Sequence, residues 1–567
     1  MEVADTAMAP GVAESVREMV RAEVQRAWEQ AREEGAIPDL ESAAQAPTIE
    51  IARSDSPSHG DYSTNLALKL AGRVRRPPRA VAEALASRLT SLGPGLVERT
   101  EVAGPGFVNI WLSPAWIERA ADSVRTAGTG YGRATAAEPQ HFNVEFVSAN
   151  PTGPLTIGNA RGAFVGDLLC RVLEAGGQRV TREYYFNDFG TQVEKLGDSV
   201  KAVRLGEPVP EDGYRGAYVA ELAAQVPDEL WQRSVDARAR AGGQIGEWAS
   251  ERVREGIEAS LERLGVHFDV WKSEGSLHRE GWLERGIEQL RGTEYAYERD
   301  DALWFRSTAF GDDKDRVILR SNGQPTYFAA DIGYLVEKFS RGFDQLIYVW
   351  GADHHGTVAR LRNAAAALGF DPAHVQVLLI AWVRFIRDGQ EISMSKRSGE
   401  FITLNELLEE VGVDAARWFF ASRAPSTGID FDIELARKQS NENPVYYVQY
   451  AHARISSILR KAEAEGIRPA DSLAGSLAGD AVARGLARDL LDLPDVVLDA
   501  AAQRETQAIT TYATALATRF HAYYRDRRVV DPDDPTTSAA RLALVDATRQ
   551  TLAAALGLLG ISAPESM

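Results

Sequence analysis

"VEFVSANPTGPLTIGNARG", Val144 to Gly162, changes character in mid-run. A mostly apolar strand, "HFNVEFVSAN" (His141 to Asn150), passes through Pro151, Gly153 and Pro154 and enters a helix at about Gly158. That helix, "NARGAFVGDLLCRVLEAGG", ends on the paired glycines Gly176 and Gly177. A strand-to-helix turn presents free backbone N–H groups and the positive end of the helix dipole, so it is a ready anion site. Glycine there lets a ligand approach the backbone closely. The commoner phosphate fingerprints are absent: the chain has no GxxxxGK[ST], and GxGxxG does not occur at this turn.

"QRVTREYYF" (Gln178 to Phe186) follows the helix as a second strand, completing a unit of the length of a parallel crossover. A second pair of strands appears later, "FDQLIYVWG" (Phe343 to Gly351) and "HVQVLLIAWV" (His374 to Val383), joined by a helix through "VARLRNAAAALG". Their nearly continuous apolar runs suit strands covered on both faces. Residues 197 to 299 between the two halves read as a charged helical insertion. The chain before about residue 125 mixes an amphipathic helix (Val12 to Gly35) with short strands in "PTIEIARS" and "GFVNIWLS". After about Asn441 the pattern is wholly helical. The expected architecture is multidomain α/β: an N-terminal α+β domain (1–125), a split Rossmann-like domain (126–440) interrupted at about 197–300, and a C-terminal helical bundle (441–567).

With 567 residues, 44% hydrophobic and 25% charged, this is an ordinary globular composition long enough for several cores. One cysteine, Cys170, leaves no internal disulfide and no CxxC pair. The first residues lack the order of a signal peptide, and the apolar run "LAAALGLLGISA" is too short to span a bilayer. A cytoplasmic location without membrane association is expected. A net charge of −18 argues against a protein that coats nucleic acid non-specifically, but not against a focused basic face such as "YYRDRR" (Tyr523 to Arg528).

"EISMSKRSGEF" (Glu391 to Phe401) supplies a cation that the first turn lacks, Lys396, with Arg397 beside it in a Ser/Gly loop. Together the two stretches resemble the "HIGH" and "KMSKS" signatures of class I aminoacyl-tRNA synthetases. They stand here as Thr156-Ile157-Gly158-Asn159 and Ser393-Met394-Ser395-Lys396-Arg397. The likeness narrows to the arginyl-tRNA synthetases through the lead-in Ala149-Asn150-Pro151-Thr152-Gly153-Pro154-Leu155, and through "HGDYSTNLALKLA", "MSKRSGEFITLNELLEEVGVDAARWFF" and "DFDIELARKQSNENPVYYVQYAHARI".

The resemblance implies arginine activation by ATP, with magnesium carried by the nucleotide, and transfer to the 3′ end of tRNA(Arg) by a monomer. It places arginine on Glu145, Asn150, Tyr327, Asp331 and His354. It places ATP on Pro154, Thr156, Gly158, Asn159, Asp353, His355, Met394, Ser395 and Lys396. Thr156, Gly158, Asn159, Lys396 and Arg397 would act on the reacting phosphates. The residue types make independent sense, since a planar five-donor cation is best selected by carboxylates in fixed geometry. Tyr327 and Asp331 stand at i and i+4, on one helix face. The adjacent His354 and His355 hint at a metal, but no third ligand accompanies them and no protein metal site is expected.

Two departures are specific. Thr156 and Asn159 replace both histidines of the first signature, and Ser393 replaces the first lysine of the second. Thr156 and Asn159 are expected to donate hydrogen bonds to phosphate without charge. The alternative they raise is a synthetase-like protein that binds tRNA without catalysis. Tyr446, Tyr447 and Tyr450 are candidates for stacking on anticodon bases.

Overall fold

The computed structural model describes residues 15–42, 46–54, 56–91, 95–188, 190–236, 241–392 and 402–567. Helix Val16–Glu33 opens the described chain, capped by Ser15 and burying Val16, Val20, Val24, Ala27, Trp28 and Ala31 along one stripe. It accompanies an antiparallel sheet whose strands lie in the order Ile51–Arg53, Tyr62–Thr64, Phe107–Leu112, Val97–Ala103.

The centre is a five-stranded parallel sheet. Strand β1 (His141–Glu145) leads through helix α1 (Ile157–Ala175) to β2 (Arg179–Phe186), which runs on into helix α2 (Thr191–Leu205). Strand β3 (Val270–Ser273) forms one edge. Helix α3 (Tyr327–Ser340) precedes β4 (Gln345–Gly351), and helix α4 (His355–Ala367) carries the chain to β5 (Val375–Ile380). The spatial order is β5-β4-β1-β2-β3. The chain leaves β1 on one side and β4 on the other, so a crevice opens beyond their carboxyl ends. The register sets Glu145 of β1 beside Tyr348 of β4 and Glu183 of β2.

The span 197–299 is not purely helical as expected. Helices Ala217–Gln225, Asp228–Asp236 and Ala241–Arg263 do fill its first part, but β3 then returns to the central sheet. The tie is aromatic: Trp271 of β3 stacks on Tyr184 of β2 with ring centres 4.3 Å apart, and Phe268 meets Phe146 at 4.4 Å. Beyond it, Ala296–Arg299, Ala302–Phe305 and Arg316–Leu319 make a small antiparallel sheet.

After β5 come helix α5 (Val413–Ala421) and a helical unit that includes α6 (Leu493–Gln503) and α7 (Pro535–Leu559). Helix α7 is long and apolar enough to cross a membrane, but 72% of its apolar window is buried inside the fold, so it serves as a core helix. The units interlock at Arg417 of α5, which is 2% exposed. Its guanidinium donates to Leu559 O at the end of α7 (2.8 Å), to Leu264 O just past helix Ala241–Arg263 (2.7 Å) and to Asp167 of α1. Gly560, at φ 67°, has to be glycine, because a Cβ there would lie 2.3 Å from the Arg417 guanidinium. The N-terminal unit docks on α6 through Arg17 to Asp499 (2.7 and 2.8 Å) and Arg53 to Asp492 (2.7 Å).

Candidate active site

β1 ends at Glu145, and the next turn bends against its preference. Val147 and Ser148 have φ of 67° and 42°, and Ser148 N–H donates to Phe146 O at 2.9 Å. A β-branched residue in the left-handed region is strained, so its surroundings have to over-determine it. They do: the Tyr184 hydroxyl donates to Ala149 O (2.9 Å) and accepts from Ala149 N (3.0 Å), while Ser148 Oγ accepts from Tyr185 N (3.2 Å). Further along, the Tyr218 hydroxyl of the insertion donates to Thr152 O at 2.9 Å.

Thr156 is the N-cap of α1, and Asn159 Oδ1 accepts both its N–H and its hydroxyl at 3.1 Å. This revises the expected role of the pair. The Thr156 hydroxyl proton is committed to Asn159, and the amide nitrogen of Asn159 is the donor left without a bond among the described residues. A Cβ on Gly158 would meet only Thr156 Oγ1, at 3.5 Å. No protein neighbour requires a glycine there, which suits a position kept bare for a ligand.

Residues on the far side of the second signature are stitched to the first. Ile157 N donates to Ile402 O (3.2 Å), Leu404 N donates to Leu155 O (3.0 Å), and Thr156 bridges Thr403. On the near side, Ile392 N donates to Phe385 O at 2.9 Å. Ser393, Met394, Ser395, Lys396 and Arg397 themselves lie outside the described residues. Both flanks of that stretch are therefore tied to the first turn or to the rim of the cavity it faces.

That cavity measures about 1200 Å³ and lies beyond the carboxyl ends of β1, β4 and β5. Asn150, Gly158 and Asn159 line one wall, Trp350 to His354 another, and Tyr214 and Arg215 of the insertion a third. His354 stands 3.6 Å from Asp353, with its ring 5.8 Å from that of Trp350. His355 opens α4 and is not among the lining residues. Arg161, one turn into α1 and fully buried, backs the cavity and donates to Ala381 O (2.9 Å) and Ala424 O (2.8 Å). Burial pushes its pKa down to about 10, which leaves it charged at neutral pH. Its place three residues after Gly158 was the available signal, overlooked because the motif centres on its histidines.

Beside β1 sits an acidic recess. Glu145 is buried, with Lys338 Nζ 2.7 Å from Oε2 and the Ser148 hydroxyl 3.3 Å from Oε1. Asp331 keeps an exposed face with protein crowded behind it. That crowding, reinforced by Glu145 and then Glu274, pushes its carboxyl up to about 7. Burial also raises Glu274 and the Tyr185 hydroxyl nearby. Such a recess suits a cation. Asn150 Nδ2 donates to Gln192 Oε1 (3.0 Å), which ties the amino end of α2 to the same turn. Tyr327, one turn before Asp331 on the same helix, is 81% exposed.

The chain matches three family models: the arginyl tRNA synthetase N-terminal domain over residues 14–112, the class I (R) tRNA synthetase catalytic domain over 124–206 and 241–424, and the DALR anticodon binding domain over 448–567. It belongs to the arginyl-tRNA synthetase family.

The arginine–tRNA ligase of Desulforudis audaxviator is 47% identical over 97% of this chain and 99% of its own length. That of Geobacillus kaustophilus is 44% identical over 95% and 98%. The solved Thermus thermophilus arginyl-tRNA synthetase superposes with a TM-score of 0.75 at 26% identity, covering 97% of this chain and all of that one. Within this arginyl-tRNA synthetase fold, Asn150, Thr152 to Pro154, Thr156, Gly158, Asn159, Asp353 and His354 gather round the cavity, and Glu145 and Asp331 meet in the recess. Tyr327 and His355 are not among the residues lining the cavity. Lys338, seven residues after Asp331 in the same helix, was not foreseen; its spacing on the Tyr327–Asp331 face was the signal.

Proposed function

We propose that this chain is an arginine–tRNA ligase in which the cavity holds ATP and the acidic recess selects the arginine side chain. The stitching of Leu155–Ile157 to Ile402–Leu404 carries this reading, because it sets the flank of the second motif against the first turn, some 240 residues earlier in sequence. The arginine carboxylate attacks the α-phosphate of ATP, pyrophosphate departs, and the terminal ribose hydroxyl of the tRNA then displaces AMP. Neither step needs a protein nucleophile, so catalysis is alignment and charge stabilisation.

The N–H groups at the start of α1 and the Asn159 amide face the phosphates, with Arg161 as a fixed charge behind them. Lys396, from the second signature, neutralises the departing pyrophosphate. Asp331 and Glu145 accept the guanidinium, and Asn150 lies at the α-amino end. Magnesium would accompany the nucleotide and supply positive charge to its phosphates.

The helical unit presents Tyr446, Tyr447 and Tyr450 half-exposed. Tyr450 stacks near His521 at 6.1 Å, and Arg454 lies over Tyr524 at 4.5 Å. This aromatic and basic face suits unpaired anticodon bases. The working form is a cytoplasmic monomer.

ATP–pyrophosphate exchange with each amino acid, with and without bulk tRNA, tests the reading. Exchange with arginine alone is expected. Silence with every amino acid, alongside retained tRNA binding, would support the non-catalytic alternative.

A further inference from the structure

Helix α3 carries Tyr327, Asp331, Tyr334 and Lys338 at spacings of four, three and four, a single stripe. Lys338 ends it fully buried, with Nζ 2.7 Å from Glu145 Oε2 and 3.7 Å from Glu183 Oε1. The ammonium also lies 4.0 Å from the ring centre of Tyr348 and 4.5 Å from that of Tyr334. A buried ammonium is costly unless paired, so its choice of partner is informative.

Glu183 is already served. Arg341 grips both its oxygens at 2.6 and 2.9 Å, Asn143 Nδ2 donates at 3.0 Å, and the Tyr334 hydroxyl adds a further bond. Among the described residues, Glu145 is bonded by Lys338 and, at 3.3 Å, by the Ser148 hydroxyl. It also faces a second carboxylate, Asp331, whose charge it repels.

We propose that Lys338 is a positioning residue for arginine selection, holding Oε2 of Glu145 so that its charge is balanced beside Asp331 and Oε1 is left for the substrate guanidinium. The inference rests on the reading of Glu145 and Asp331 as the guanidinium partners. Without Lys338 the negative charge of Glu145 would weigh more heavily on Asp331, whose carboxyl it already pushes up, and arginine would have to displace a proton from Asp331 on binding. The other groups around Glu145 do not replace that charge. Tyr185 and Glu183 from β2, Tyr348 from β4, Tyr334 from α3 and Glu274 from helix Glu274–Arg279 are neutral or negative, and Arg341 is committed to Glu183 and Glu337.

The test is full-length enzyme with Lys338→Met, Glu145→Gln and the double substitution, charging tRNA across pH 6 to 9. Lys338→Met is expected to raise the arginine KM by about tenfold or more at pH 7, with the ATP KM and kcat nearly unchanged, and the defect should shrink as pH rises. Glu145→Gln should raise the arginine KM, and adding Lys338→Met should change it no further. A parental arginine KM in Lys338→Met, or an equal rise in the ATP KM, overturns the proposal. The double variant removes both buried charges and so guards against misfolding of the single one; an arginine KM well above that of Glu145→Gln in it would also overturn the proposal. A parental arginine KM in Glu145→Gln sinks the reading of the arginine site itself, whatever Lys338 does.

Discussion

Asp331 links arginine recognition to pH. Its carboxyl is pushed up to about 7 in the empty site, first by the protein crowded behind it and then by Glu145 and Glu274. Arginine remains a cation throughout the range and pairs with the ionised form, so below the pKa each binding event must release a proton. The apparent affinity then falls by a factor of 1 + [H⁺]/Ka, which is about elevenfold at pH 6, about twofold at pH 7 and about 1.1-fold at pH 8. The sign follows from the raised pKa: protons compete with arginine below 7 and cease to compete above it. Arginine KM measured by tRNA charging at saturating ATP should trace this curve, while the ATP KM stays level. Asp331→Asn should flatten the curve and raise the arginine KM by about 10- to 100-fold, the loss of a charge-assisted hydrogen bond. An arginine KM in the parent enzyme that is constant from pH 6 to 8 would refute the assigned contact.

Lys396→Ala should abolish pyrophosphate exchange with arginine; near-normal exchange would reject the assignment of the second signature. Asn159→Ala removes the acceptor that caps α1, so urea denaturation should show a loss of about 1 kcal/mol. The same variant should raise the ATP KM and leave the Kd for tRNA unchanged. Arg417→Met leaves two helix-end carbonyls unpaired and takes one arginine partner from the buried Asp167, which keeps Arg171 at 2.7 Å, and denaturation should report a loss of about 2 to 4 kcal/mol.

Much of this structure was legible because the informative signals are local. The apolar run at Phe343 to Gly351 reads as a strand and is covered, the run at His374 to Val383 reads the same way but gives a half-buried edge strand, and the turn at Pro151 to Gly158 breaks a strand pattern where the fold needs it broken. Strand Val270–Ser273 was hidden inside the charged stretch. Four residues at a sheet edge carry no usable alternation, and Trp271 is placed by stacking on a tyrosine some 90 residues away. The positive φ of Val147 could not be read from valine, which avoids that region; the bonds of Tyr184 and Tyr185 to the next two residues, Ser148 and Ala149, fix the turn there. The recess was half legible. Glu145 and Asp331 followed from motif positions, but the sequence pairs Lys338 with nothing. Its partners lie on β1 and β2, which meet α3 only in three dimensions.

The grip of Arg417 bears on how such a chain can be cut and recombined. Leu559 and Gly560, eight and seven residues from the end, touch the same guanidinium that fastens helix α1. A shortened gene ending before α7 would therefore not yield a catalytic half lacking an accessory part. It would leave Arg417, which is bonded to Asp167 on the helix that the phosphate turn opens, without one of its three anchors. The boundaries that a family alignment draws as modules are not, in this molecule, seams along which it comes apart.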